Sequence, residues 1–164
     1  MSESPPFPPL ADLVPHKPPM LLLDRVLSYS TDVVRCEVEI RSDSRFVEDG
    51  QVPAVIGLEY MAQAVAAFAG LTARSEKKEF RMGLLLGSRE LRFETDGFAV
   101  GDRLVVEARR TWGESELGHF ACQIEREAEL LASGTLSVYQ GQMPARDGDR
   151  GAELGSQPGT EKGR

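Results

Sequence analysis

The chain has 164 residues, 41% hydrophobic and 27% charged, which holds one globular domain and excludes a second of full size. Its formal net charge of −7 excludes nucleic acid as the main partner, because phosphate binding requires a basic face. Cys36 and Cys122 stand far apart with no CxxC or histidine spacing, so neither a disulfide framework nor a metal site is expected, and only His16 and His119 can supply a neutral-pH base.

In chain order, residues 1–9 hold four prolines and read as a poorly ordered arm. No basic stretch followed by an apolar one marks a signal peptide, so the expected location is cytoplasmic. Residues 10–14 can make one helical turn, stopped by Pro15, Pro18 and Pro19. Residues 20–29 read as a strand with a buried apolar start. Residues 33–40 set Val33, Arg35, Glu37 and Glu39 against Val34, Cys36, Val38 and Ile40, the period-two pattern of a half-buried strand.

Residues 53–71 are apolar or small apart from Glu59, Tyr60 and Gln63, which predicts a helix buried nearly all round, with Pro53 in its first turn and Gly70 at its end. Ala62, Ala64, Ala66, Ala67 and Ala69 keep it thin, so a sheet can wrap closely around it. The segment is long enough for a bilayer, but the carboxylate and amide within it favour a soluble core helix. Strands follow over 81–93, bent at Gly87, and over 103–111, 118–127 and 130–139 at hairpin spacing. Residues 141–164 carry almost no large apolar side chain and read as a disordered tail. The expected class is α+β over residues 10–140: a hotdog fold, with an antiparallel sheet of about six strands around one apolar helix.

Glu59 stands out on physical grounds. An ionised carboxylate in a low-dielectric core costs several kcal/mol unless it is paired, so an acid on a buried helix calls for either an active-site role or a partner such as Arg89 or Arg92. Gln63, one turn on, offers an amide that can orient Glu59 or a bound water. His16, fixed between prolines, reads either as a backbone-bonded structural residue or as a base, and His119 as an edge or surface residue. Tyr60 suits packing or a dimer contact, with a hydroxyl able to donate to a thioester oxygen. Arg74, Lys77, Lys78, Arg81, Arg89, Arg92, Arg109 and Arg110 are either a docking patch for an acidic carrier or solvated charges.

Three stretches, in order, resemble the β-hydroxyacyl-acyl-carrier-protein dehydratases. They are Leu13-Val14-Pro15-His16-Lys17-Pro18-Pro19-Met20 with Leu21-Leu22-Leu23-Asp24-Arg25-Val26, then Gly57-Leu58-Glu59-Tyr60-Met61-Ala62-Gln63, then Leu91-Arg92-Phe93 with Phe98-Ala99-Val100-Gly101-Asp102. The first two are similar to the dehydratase-like subfamily of the aryl-polyene pigment type. The resemblance implies a hotdog homodimer or higher oligomer with an acyl tunnel at the interface, no cofactor, and a 3-hydroxyacyl thioester carried on the phosphopantetheine of acyl carrier protein or coenzyme A. Elimination of water needs a base for the proton beside the thioester carbonyl and an acid for the departing hydroxyl. The family's histidine lies in a Gly-His-Phe-Pro-Gly segment before the helix, whereas residues 44–53 here contain none.

The expected activity is therefore dehydratase-like, in fatty-acid or polyene-type biosynthesis. Glu59 and His16 are the candidate catalytic pair, with Gly57, Gln63 and Tyr60 as candidate substrate contacts and Glu48 or Asp49 as alternative acids. Backbone N–H groups near Gly57 would polarise the carbonyl. Two other readings stand beside it: a hotdog thioesterase, in which the helix carboxylate activates water, and a non-catalytic acyl-binding subunit that pairs with an active hotdog protomer.

Overall fold

A computed structural model describes residues 6–114 and 116–141. The chain first makes a 3-10 turn at Leu10–Asp12, then strands β1 (Arg25–Tyr29) and β2 (Val33–Glu39), a short β3 (Gln51–Pro53), a 3-10 turn at Ala54–Ile56 and helix α1 (Gly57–Ser75). After the helix come β4 (Leu84–Phe93), a short β5 (Gly97–Ala99), β6 (Arg103–Glu114), β7 (Leu117–Arg126) and β8 (Glu129–Tyr139). Six strands form one antiparallel sheet in the order β1-β2-β6-β7-β8-β4, and β3 pairs with β5 in a separate two-stranded ribbon. This is the α+β hotdog arrangement.

The period-two pattern in β2 places Val34, Cys36 and Val38 inward, and β6 and β7 continue that face with Leu104, Val106, Ala108, Phe120, Cys122 and Ile124, all buried. These side chains pack on Tyr60, Met61, Ala64, Ala67, Phe68 and Leu71 of α1, at about 1.5–3 kcal/mol for each large apolar group removed from water. Burial pushes both thiols up to about 12, so Cys36 and Cys122 are protonated, unreactive core residues.

The helix departs from its predicted bounds at both ends. Pro53 precedes a 3-10 turn rather than the α-helix, which begins at Gly57. Gly70 does not end it. The stop is a left-handed residue at Lys77, φ 54, with Lys77 N–H donating to the Arg74 carbonyl at 3.2 Å and Lys78 N–H to the Ala73 carbonyl at 2.8 Å. A glycine usually takes that position, and with lysine there the sequence carries no visible stop.

The helix is not buried all round either. Leu58, Glu59, Ala62, Ala66 and Ala69 form a half-open stripe at helical spacing. Beyond it lies β4, the edge strand, irregular in register near Gly87 as its predicted bend suggested. Leu84, Leu85 and Leu86 are exposed, as are Phe80 and Met82 just before them. The expected strand at 20–29 begins only at Arg25: Met20 and Leu22 are held to α1 by the Gln63 side chain, and the chain first joins β2 at Asp24, whose N–H donates to the Glu37 carbonyl at 2.8 Å.

Phe7 packs against the core and the Pro9 carbonyl accepts from Asp12 N–H at 2.9 Å, so the end of the predicted N-terminal arm belongs to the packed chain. Residues 1–5 of that arm and the predicted tail from 142 onward lie outside the described residues. The segment Ala54–Ser75 has the length and apolar character to cross a membrane, with a mean hydropathy of 1.5, but 61% of it is buried inside the fold, as a core helix requires.

Candidate active site

The segment 10–24 lies as a strap across the half-open stripe of α1 and brings His16 onto Glu59. His16 Nε2 is 3.4 Å from Glu59 Oε1 in the same chain, with side chains 28% and 38% exposed. The carboxylate therefore sits at a cavity wall with water access, and its partners are an imidazole and an amide, not Arg89 or Arg92. His16 Nδ1 is buried and has no hydrogen-bond partner among the described residues.

Beneath this pair Gln63 is completely buried. Its Nε2 donates to Glu59 Oε1 at 2.9 Å and to the Met20 carbonyl at 2.7 Å, while its Oε1 accepts from Leu22 N–H at 2.9 Å. An amide nitrogen carries two hydrogens, and both are used. Gln63 thus orients Glu59, as its one-turn spacing suggested, but it is not the expected substrate contact, because its donors are spent on Glu59 and on the strap.

Two other expected contacts are placed elsewhere. Tyr60 is a core residue, its ring 5.9 Å from that of Phe98, and burial, aided by the charge of Asp24, pushes its hydroxyl up to about 12. Gly57 N–H is directed to the Ala54 carbonyl within the 3-10 turn, so it is not offered to a thioester oxygen. A side-chain carbon at Gly57 would lie 2.9 Å from Ile124 Cδ1 and 3.2 Å from Phe98 Cζ, so the tips of these two buried side chains would have to shift to admit it. His119, as expected, stays out of the site: its Nδ1 is 2.9 Å from Ser137 Oγ and its ring lies beside the exposed Trp112.

A cavity of about 210 Å³ lies against the pair, walled by Pro15, His16 and Glu59 on one side, by Ala62 and Ala66 below, and by Phe80 and Leu85 opposite. A wider groove of about 670 Å³ follows the C-terminal half of α1 past Phe68, Thr72 and Ala73 to Arg110 and Leu117. Both spaces are lined by Ala69 and Gln140, so cavity and groove adjoin at these two residues. The basic residues around it are largely compensated. Lys78 pairs with Glu76 at 2.7 Å, Arg81 with Glu116 at 3.9 Å, Arg109 with Glu107 at 3.2 Å and Arg110 with Asp32 at 3.5 Å. Among the described residues no cluster of three or more His, Cys, Asp or Glu side chains could hold a metal ion.

A family model described as ApeP-like, ApeP dehydratase, matches residues 8–147. The chain belongs to the ApeP-like dehydratase family. Its relatives include the 3-hydroxyacyl-[acyl-carrier-protein] dehydratase FabZ of Chlamydia abortus, 31% identical over 78% of this chain and 86% of that protein. The FabZ of Anaeromyxobacter sp. (strain K) is 30% identical over 73% and 84%. Among solved structures, the dehydratase heterocomplex ApeI:P from Xenorhabdus doucetiae is similar at 30% identity and a TM-score of 0.79, covering 83% of this chain and 93% of that one. A hypothetical thioesterase with coenzyme A from Streptococcus pneumoniae TIGR4 is 10% identical, with a TM-score of 0.55 over 71% and 84% of the two chains, and shares the fold alone. Membership of the ApeP-like family thus supports a dehydratase-like hydro-lyase over the thioesterase and non-catalytic readings.

Sequence reasoning picked out Glu59 and His16 but missed the cavity's far wall at Phe80, Gly83 and Gln140, whose types and spacing carry no chemical signal. It also missed the Met20 and Leu22 backbone groups that complete the Gln63 cluster. If Gly57 serves packing, Gly57→Ala will destabilise the protein by about 1–3 kcal/mol, read as a lowered urea midpoint at unchanged slope.

Proposed function

We propose that this protein removes water from a 3-hydroxyacyl thioester carried on the pantetheine of an acyl carrier protein, giving the trans-2-enoyl product. The observation that supports this most is the imidazole of His16 next to the carboxyl of Glu59 at the wall of an apolar cavity, in a chain of a dehydratase family. In the reactive form the pair holds one proton, on Glu59. His16 takes the proton from C2, the electron pair left there forms the C2–C3 double bond, and the C3–O bond breaks as Glu59 protonates the departing hydroxyl to water. Afterwards His16 is protonated and Glu59 ionised. Their 3.4 Å separation lets the proton return directly, which restores the starting form without a separate base. Such a separation is longer than a charge-assisted hydrogen bond, as expected of a site that tightens around substrate. The reaction calls on no cofactor beyond the pantetheine arm.

The acyl chain fits the cavity over Ala62 and Ala66, and longer chains continue past Ala69 into the groove. A second copy of this chain fits the open edge of β4. Antiparallel pairing of two β4 edges about a twofold axis would cover Leu84, Leu85 and Leu86 together with the stripe beside Glu59.

Three measurements test these readings. Glu59→Gln and His16→Ala are each expected to lower kcat for a 3-hydroxyacyl thioester by at least a hundredfold, and wild-type kcat/KM to follow a bell in pH, since the pair needs one proton and fails with two or none. Wild-type turnover in both variants would overturn the assignment. Ala69→Leu, where cavity and groove adjoin, should depress kcat/KM for long chains relative to a four-carbon substrate; an unchanged ratio refutes the route. Light scattering of the pure chain should give a dimer that Leu85→Asp dissociates, whereas a pure monomer, active only when mixed with a second hotdog chain, would replace self-pairing by a heterologous partner.

A further inference from the structure

The strap that carries His16 is attached to α1 on both sides of that residue. Upstream, Leu10, Leu13 and Val14 are buried, and Leu13 and Val14 N–H donate to the Leu10 carbonyl at 2.9 and 3.0 Å, so this turn moves as one piece. It comes close to the helix where the Leu13 carbonyl lies over Gly70. A side-chain carbon at position 70 would collide with that carbonyl oxygen and lie 2.9 Å from its carbon and 3.1 Å from Leu13 Cα, all of them backbone atoms that no rotamer change can move aside. Downstream, Met20 and Leu22 are held by Gln63. His16 is the third residue after Leu13 and the fourth before Met20.

Gly70 lies within α1, five residues before its end, where glycine is unfavourable and where the backbone has ordinary helical geometry. Nothing in the helix itself calls for it; the close approach of the strap does. Position 70 is eleven residues from Glu59, about three turns on and nearly in line with it on the helix surface, roughly 16 Å along the axis. The strap thus follows the face that bears Glu59, and its height above that face is set at Gly70.

We infer that Gly70 is a positioning residue for His16: by having no side chain it lets the strap seat against α1 and so sets the His16–Glu59 separation. The inference rests on the proposed role of that pair in proton transfer. Gly70 touches neither the imidazole nor the cavity, and it acts only through the Leu13 backbone.

The test compares full-length Gly70→Ala and Leu13→Ala with His16→Ala, and uses Val106→Ala in the sheet core as a control for lost stability alone. Gly70→Ala is expected to lower kcat at least tenfold with KM changed less than threefold, and to flatten the limb of the pH profile that His16→Ala also removes. Leu13→Ala, which loosens the strap without altering the helix, should shift kcat and the same limb in the same direction by a smaller factor. Val106→Ala should lower the melting temperature while leaving kcat and the pH profile in place. If Gly70→Ala folds and keeps wild-type kcat and pH profile where His16→Ala is inactive, the positioning role fails and the proposed reaction stands. If His16→Ala itself turns over at the wild-type rate, the reaction assignment fails and this inference with it. Where Gly70→Ala does not fold, Leu13→Ala decides: an effect on activity no greater than its loss of stability, as for Val106→Ala, overturns the proposal.

Discussion

The arrangement depends on one buried amide. Gln63 sits in the core with no solvent to satisfy it, and an unpaired buried donor or acceptor costs about 1–3 kcal/mol. Its three hydrogen bonds go to Glu59 Oε1, the Met20 carbonyl and Leu22 N–H, so satisfying the amide simultaneously orients the carboxylate and ties down a stretch of chain without secondary structure. These demands are met together or not at all, because one planar group carries all of them. Once residues 20–22 are held there and the turn at residues 10–14 is packed on the other side, His16 has little freedom left.

The second constraint is the thinness of α1. Alanine and glycine along its half-open face let two different pieces of chain come close: the strap at Gly70, and the wall formed by Phe80 and Leu85 across the cavity. Opposite this face, bulky residues such as Tyr60, Met61 and Phe68 fill the concave sheet. The helix therefore divides its surface between a packed side that stabilises the fold and a lean side that leaves room for a ligand. Glu59 lies on the lean side, which is why a carboxylate is tolerated there: it is partly hydrated and has two polar partners instead of being stranded in the core.

The pairing of His16 with Glu59 in one chain gives chemical sense to the absence of a histidine from residues 44–53. An elimination site needs an imidazole-like base near an acid, and the path of the chain that delivers the base is immaterial to the proton. In the proposed reaction the strap supplies it from the N-terminal side, while the segment before the helix forms the short β3–β5 ribbon.

Much of the fold was legible because it rests on local periodicity. Alternation in β2, the hairpin spacing of β6 to β8 and the long apolar run of α1 each report burial residue by residue, and together they define a helix within an antiparallel sheet. Signals that depend on distant partners were misread. Gly70 looked like a helix end because glycine commonly ends helices, yet its reason is the Leu13 carbonyl, distant in sequence; the true end at Lys77 uses a left-handed lysine that no pattern announces. Tyr60 packs in the core and Gln63 orients Glu59, as their sequence positions suggested, but neither is left to contact substrate, because the helical turn sends Tyr60 inward and the strap takes up the remaining bonds of Gln63. The sequence alone determined the fold class and the two residue types able to move a proton. Only the tertiary structure decided that they meet in one chain, since that contact depends on the backbone of residues 10–24, which has no periodicity of its own and takes its course from Gly70 and Gln63.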